Sequence, residues 1–413
     1  MEKGQRKSWP AFAWICYAMC VGVMGTALAS PLYPLYQAEW NLRASDITRI
    51  FVVYMFGVLA SLLFVGRLTA RFGFLPVLRL GLVLMTAGVG LSAVATTVPV
   101  FMLARLVIGI ASGMISTSAA VGLMQVGSVD RDPRRVSAIT TVAMTLGFGL
   151  GPLAGGVFAQ WLPRPLVTAY LPTLAMGALA VYALFRVHLP VASLSDRPPA
   201  ARGWKAAIAQ WLPRIARPAR AQRRHFWLAS LGAFSAFGMF SLYASLAPSF
   251  MKELVPWHGP AVSGSTIASI LFLSSAFQFL ARQWRTKSVV VASGLALAAC
   301  NLLLIATTYG RTALLFAFSV LVTAFGHGLA SVGGMAVVGK LTQPGERAGL
   351  LASYMIVGYL GTIVPILAVG WLSDAMGLNR ALVVFSCAMG ALSAVAAVLA
   401  ARTRELPSPP APR

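Results

Sequence analysis

Residues 146–156 read LGFGLGPLAGG, inside an apolar run that extends from Val136 to Gln160. Gly147, Gly151 and Gly155 recur every four residues, so on a helix they fall in one row without side chains. A bare row lets a second helix approach closely, which is how helices associate in lipid. In water, five glycines would weaken a helix by about 1 kcal/mol each relative to alanine. Pro152 has no N–H and crowds the carbonyl four residues back, so a bend is expected there. The stretch predicts a membrane helix in close contact with another, at the place where two helical bundles meet.

Composition extends that reading outward. Of 413 residues, 58% are hydrophobic and 10% charged, with mean hydropathy +0.78. Soluble domains carry about 25% charged residues, so most of this chain is solvated by lipid. The net charge of +23 raises nucleic-acid binding as a rival. The basic residues, however, sit in short clusters between apolar runs, as in membrane proteins, and no nucleic-acid partner is expected. Cys16, Cys20, Cys300 and Cys387 all fall in apolar segments and read as small buried hydrophobes. Cys16 and Cys20 lack the His or Cys neighbours of a metal site, and neither metal nor cofactor is expected.

Lys3, Arg6 and Lys7, the apolar run from Pro10 to Leu28, and Ala27-Leu28-Ala29 mimic a secretory leader with its cleavage site. The run is too long for a leader core and Pro31 follows closely, so it reads as a retained first span. About 20 apolar residues cross about 30 Å of hydrocarbon. Twelve segments qualify: 11–35, 47–68, 77–97, 99–122, 136–160, 167–187, 226–250, 262–281, 288–308, 312–337, 348–371 and 379–400. The expected organisation is an N-terminal six-helix bundle (1–187), a basic cytoplasmic linker (188–225), a C-terminal six-helix bundle (226–402) and a short tail (403–413). The fold class is an all-α membrane protein of twelve transmembrane helices in two pseudo-symmetric six-helix bundles.

The halves show traces of a repeat. GTALASPLYPLY (25–36) and FSLYASLAPSF (240–250) place Pro31 and Pro248 alike, and the fifth and eleventh spans carry Pro152 and Pro365. Orientation follows from Lys and Arg. Six (Arg43, Arg49, Arg164, Lys252, Arg311, Arg380) fall on one side, Arg105 lies within a span, and the other 26 of 33 fall on the side of the termini. Both termini are therefore expected in the cytoplasm, in a multi-pass protein of the inner or plasma membrane. In the linker, Trp204, Ile208, Trp211, Leu212 and Ile215 share one helical face beside Lys205, Arg214 and Arg217. Such a face suits the anionic inner leaflet, although Pro213 would shorten the helix.

The glycine stretch also fits a pattern. Gly147, Gly151, Pro152, Gly155 and Gly156 match G-x-x-x-G-P-x-x-G-G, which resembles the fifth-helix antiporter signature of the major facilitator superfamily, in particular its drug/proton antiporters. The resemblance implies two parallel six-helix repeats around a midplane cavity, a monomer, and export. After the second span, Gly66-Arg67-Leu68-Thr69-Ala70-Arg71-Phe72-Gly73 resembles the family's G-x-L-a-D-R-x-G-R-R loop. Gly66, Leu68, Arg71 and Gly73 match, but Ala70 replaces the acid, and Phe74 and Leu75 replace the basic pair. In the family that acid helps latch the cytoplasmic side, so here the latch is weaker or made elsewhere. Gly66, Arg71 and Gly73, with the five fifth-span positions, are the expected conformational residues. Gly370–Gly377, GWLSDAMG, copies part of the loop pattern on the outer side, where capping and turn formation suffice to explain it.

Arg105, in Leu103–Gly109, resembles the family's intramembrane R-x-x-x-G motif. A charge at mid-membrane costs at least about 2.5–3.5 kcal/mol, so lipid exposure is disfavoured. Two readings are open: a cation lining a cavity, with Gly109, Ser112 and Ser116 along the same face, or a side chain snorkelling outward from about 9 Å depth. The polar stripe favours the cavity. None of the ten acids lies deep in a span; Asp46 and Asp374 come nearest, at outer ends. Proton-coupled transport commonly uses a buried carboxylate. His327 is the one deep group titrating near neutrality, either a proton-coupling residue or a packing histidine beside Gly326 and Gly328. A cavity with one cation and no carboxylate suits neutral amphiphiles or organic anions. The family's pocket helices add Thr26, Ser30, Tyr33, Ser241, Tyr243, Gln278 and Thr323 as substrate-lining candidates.

The expected function is proton-coupled export of a small amphiphilic or anionic compound by alternating access, with a proton-linked or facilitative importer as the alternative. A membrane enzyme would need clustered His, Asp, Glu or Cys at depth, and a channel a continuous polar ring; the sequence has neither. A sensor on the same fold would bind solute without flux.

Overall fold

A computed structural model describes residues 9–127, 131–187, 215–254, 256–341 and 347–403. Twelve of its helices are long and apolar enough to cross a membrane. In the first half these are α1 (Ala11–Trp40), α2 (Ala44–Phe72), α3 (Phe74–Ala93), α4 (Val98–Gly127), α5 (Arg135–Trp161) and α6 (Pro165–Arg186). In the second they are α7 (Arg220–Ser245), α8 (Pro260–Gln283), α9 (Thr286–Gly310), α10 (Ala313–Leu341), α11 (Gly349–Met376) and α12 (Leu378–Ala401). Exposed tryptophans mark both rims: Trp161, Trp257 and Trp371 at one end, Trp227 and Trp284 at the other. Amphipathic indoles favour the membrane–water boundary.

Sequence explains the breaks. The first helix of α1 stops at Ala27, a 3-10 turn spans Ser30–Leu32, and a second helix runs Tyr33–Trp40. Pro31 and Pro34 each lack the N–H that would continue the ladder. In the second half, a separate short helix, Ala247–Leu254, follows α7 with Pro248 in its first turn. The repeat read from Pro31 and Pro248 therefore has a shared structural consequence.

Within each half the helices pack around a buried apolar core, α2 and α3 against α4, and α9 against α10 and α12. The halves meet along α5–α8 and α2–α11. Here the glycine row departs from expectation. A Cβ on Gly147, Gly151 or Gly155 would overlap the backbone carbonyl of Cys20, Met24 or Leu28, three successive turns of α1. The row thus joins α5 to α1 inside the first half, not the two bundles. The opposite side of α5 makes the inter-half contact: Gly149 lies against Phe272 and Gly156 against the Pro260 carbonyl, while Gly264 lies against the Pro152 carbonyl. At 100° per residue, Gly149 and Gly156 stand about half a turn from the row. The helix Pro133–Trp161 runs through Pro152 without interruption.

Helix ends also differ. The Gly66–Phe72 segment, expected as a loop, is the last two turns of α2, and Gly73 alone makes the turn at φ 83°. Helix α4 reaches Gly127, α10 Leu341 and α11 Met376, each beyond the apolar stretch. Hydropathy marks the part a helix spends in hydrocarbon, and helices continue past it into the polar layer. The second half begins at Arg220, inside the expected linker. Trp204, Lys205, Ile208, Trp211, Leu212 and Arg214 lie outside the described residues. The linker's last part is tied to α11: Ala216 N–H donates to the Gly349 carbonyl (3.3 Å), and Ser353 Oγ donates to the Ala216 carbonyl (2.7 Å). Of the cysteines, Cys300 is buried, Cys16 and Cys20 are half-buried, and Cys387 is exposed.

Candidate functional site

Arg105 is the largest fully buried side chain, at 0% exposure, which removes the snorkelling reading. It lies seven residues into α4, about 10 Å along the helix. Its Nη1 donates to the Thr26 carbonyl at 3.0 Å, where the first helix of α1 is about to end. Its guanidinium lies 4.5 Å from the Tyr54 ring centroid, a cation–π contact with α2. Among the described residues, Nε and Nη2 have no hydrogen-bond partner of good geometry; the Tyr33 hydroxyl stands beside the guanidinium, and Ser30 Oγ is buried without a partner. A buried donor left unpaired costs about 1–3 kcal/mol. Donors on a guanidinium without a partner can receive oxygen acceptors, the more strongly if these are charged.

The stripe expected to face water is packed instead. Gly109 lies against the Tyr54 carbonyl and Gly57, and Gly113 against Ser61, so α4 and α2 meet nearly backbone to backbone. Ser112 is buried, and Ser116 Oγ donates to the Ser112 carbonyl at 2.8 Å. A second row of small residues, Gly57 and Ser61 on α2, was there in the sequence to explain the first.

The second half holds a neutral counterpart. Ser319 lies six residues into α10, where Arg105 lies seven into α4, and its Oγ meets the Tyr243 hydroxyl at 2.6 Å. Thr323 Oγ1 donates to the Ser319 carbonyl at 2.7 Å, and Ser241 Oγ to the Gly238 carbonyl at 2.8 Å. Deeper, His327 stands fourteen residues from each end of α10 (327 − 313 and 341 − 327). Its Nδ1 meets Ser274 Oγ of α8 at 2.8 Å, and Gln278 Nε2 donates to the same oxygen at 3.4 Å. The imidazole lies 6.0 Å from Phe237 and 5.6 Å from Phe240, ring centre to ring centre. One residue on, Ser275 Oγ meets Thr145 Oγ1 of α5 at 3.0 Å, bridging the halves.

The candidates thus fall into three groups: Thr26, Ser30, Tyr33, Arg105 and Ser112; Tyr243 and Thr323; and Gln278 with His327. Tyr54, Ser274, Ser319, Phe237 and Phe240 were missed. Aromatic and hydroxyl residues are common in apolar spans, and only three-dimensional pairing sets these apart.

Conformational residues divide by end. At the end carrying the chain termini, Gly66 and Gly73 have nothing within 4 Å of where a Cβ would stand, Ala70 is exposed, and Arg71 lies 5.8 Å from the Phe72 ring. At the far end the halves are fastened. Ser45 N–H of α2 donates to Asp374 Oδ1 of α11 (3.4 Å), Ser249 Oγ to Gln37 Oε1 (2.6 Å), and Ala261 N–H to Gln160 Oε1 (3.5 Å). Gly370 packs against Thr48 and Ser45. The GWLSDAMG segment therefore reaches across to the other half, beyond the local capping expected of it. Among the described residues no group of three His, Cys, Asp or Glu side chains is placed to hold a metal.

Twelve membrane-length helices in two halves, packed together mainly along α5–α8 and α2–α11, define a multi-pass membrane protein. The family profile of the Major Facilitator Superfamily matches residues 15–287, and the chain belongs to that family. It is a multi-pass membrane protein of that family. Among curated relatives, it is 28% identical over 153 residues to the multidrug efflux protein YfmO of Bacillus subtilis, covering 36% of this chain and 37% of that protein. It is 26% identical over 160 residues to the quinolone resistance protein NorA of Staphylococcus aureus, covering 39% of each. The matches thus span little more than a third of either relative. Among solved structures, a POT family transporter in complex with 5-aminolevulinic acid superposes with TM-score 0.76 at 12% identity, covering 96% of both chains. A bacterial homologue of the human lysosomal transporter Spinster, in an inward-facing and occupied conformation, gives 0.72 at 13% identity and 98% of both chains. At those identities the likeness speaks for the fold.

Proposed function

We propose that this transporter exports a small amphiphilic or anionic compound in exchange for protons by alternating access. The observation that carries the reading is Arg105, a fully buried guanidinium held by the Thr26 carbonyl and the Tyr54 ring, with Tyr33 beside it and its Nε and Nη2 donors without a partner of good geometry among the described residues. The ring beside it, Tyr54, is a phenol, which near neutrality supplies no permanent negative charge. A substrate carboxylate, sulfonate or phosphate group would. His327 is the proton-coupling candidate, because no acid lies deep in any span. With the termini in the cytoplasm, the fastened far end is the outer one. YfmO and NorA, named for efflux and drug resistance, support the outward direction.

The test is flux in proteoliposomes with and without a pH gradient, across neutral amphiphiles, organic anions and organic cations. Uptake into inverted vesicles, driven by a proton gradient and strongest for anions or neutral amphiphiles, is expected. Preference for cations, or uptake only into right-side-out vesicles, would overturn the reading.

A further inference from the structure

We infer that Asp374 is a gating residue: its carboxylate, on the second half, fastens the far end shut by capping the first turn of α2 in the first half. This rests on the alternating-access reading above. Among the described residues, Asp374–Ser45, Ser249–Gln37 and Ala261–Gln160 join the halves at that end, and of these three Asp374–Ser45 carries a formal charge. Ser45 is in the first turn of a 29-residue helix (Ala44–Phe72), whose free N–H groups present partial positive charge. Asp46 is engaged locally, accepting from Arg43 N–H (3.1 Å) and pairing with Arg49 (3.3 Å). Asp374 supplies the second acid at this helix start, and it comes from the other half.

Packing lets the carboxylate reach. Gly370, one turn before Asp374 on α11, lies against Thr48 and the Ser45 Cα, so α11 meets α2 without an intervening side chain. Any conformation that parts α2 from α11 at this end breaks the contact. At the end of the termini, the corresponding segment of α2 offers exposed Ala70, with no carboxylate. The acid that closes the far end thus has no counterpart at position 70 of α2 on the near end.

The contact is long, at 3.4 Å, and the Asp374 side is exposed, so its effect is modest. A charge at a surface helix terminus shifts an equilibrium by about two- to five-fold. The test is the distance between spin labels on Thr97 and Tyr309, exposed far-end positions in different halves, with the four native cysteines replaced by alanine. The purified full chain is measured in lipid nanodiscs. Two populations are expected, with D374N and D374A raising the longer-distance one about two- to five-fold and D374E matching the parent. Salt at 1 M, which shortens the screening length to about 3 Å, should raise it in the parent but not in D374N. Equal distributions in parent, D374N and D374A at both salts would overturn the gate. A single distance in every form would overturn the gate and the alternating reading together; two populations insensitive to Asp374 would leave alternation standing. Should D374A fail to fold, D374N, which keeps the shape and one acceptor oxygen, decides the matter.

Discussion

At Arg105 the physics of a single residue sets the expected chemistry. Its surroundings hold it through one carbonyl and one aromatic face and leave two donors unused. A hydrogen bond to a charged group contributes about 1.5–3 kcal/mol, which converts to a tenfold or larger effect on binding. Arg105→Ala should weaken transport of anions at least about tenfold while changing that of neutral amphiphiles far less. Arg105→Lys keeps the charge but loses the planar fork over Tyr54, so it should rescue only part of the anion flux. Competition between one anionic and one neutral substrate in the same vesicles reads both, and an equal loss for the two would take Arg105 out of the substrate contact. His327 is tested beside it. With Ser274 and two phenylalanine rings around it, His327→Gln keeps a hydrogen-bonding group of similar reach. Exchange of labelled for unlabelled substrate should persist in that variant while acceleration by a pH gradient is lost. Retained acceleration would leave His327 with packing alone.

At the scale of the helix, two glycines that look alike in the sequence should answer substitution with opposite signs. Gly151 has the Met24 carbonyl where its Cβ would go, and neither backbone can yield without parting α1 from α5. Gly66 sits in a helix with open space around it. Gly66→Ala should stabilise by about 0.5–1 kcal/mol, the ordinary cost of a helical glycine. Gly151→Ala should destabilise by about 1–3 kcal/mol, as overpacking does, and Gly151→Leu should stop turnover while the protein still inserts. Thermal unfolding in detergent gives the signs, and the same sign for both alanine variants would refute the contact. This contrast also shows what the sequence holds. The four-residue spacing of Gly147, Gly151 and Gly155 announces a close helix partner, but nothing in it says which helix. That partner is α1, because three α1 carbonyls repeat at the same spacing, and carbonyls leave no trace in a sequence. Gly149 and Gly156, half a turn away, carry the contact with α8, and their seven-residue spacing was legible. Twelve spans and the burial of Arg105 were legible because hydrocarbon penalises every unmet polar group. Tyr54, Ser274 and Ser319 were not, since a hydroxyl among apolar residues gains meaning only from what faces it.

For the whole molecule, the charge carried per cycle distinguishes the proposed exchange from its rivals. With the cell interior negative, a proton entering and a monoanion leaving both move charge down the potential. One-for-one exchange with an anion therefore moves two charges per cycle, whereas exchange with a neutral amphiphile moves one. At about 2.3 kcal/mol per charge per 100 mV, the drive is about 4.6 kcal/mol for the anion and 2.3 for the neutral compound. At tenfold per 1.4 kcal/mol, the limiting accumulation is about 2,000-fold against about 50-fold. Inverted vesicles with a lumen-positive potential set by potassium and valinomycin, and no pH gradient, give the measurement directly. The logarithm of accumulation should rise with potential twice as steeply for the anion as for the neutral substrate. A proton–anion symporter working one-for-one is electroneutral and would show no slope for the anion. A facilitator would give a single slope for the anion, of the sign set by its own charge, and none for the neutral compound. The two-to-one ratio belongs to one-for-one exchange with a monovalent cation, so its absence would remove one-for-one proton antiport from the account while leaving the twelve-helix transporter intact.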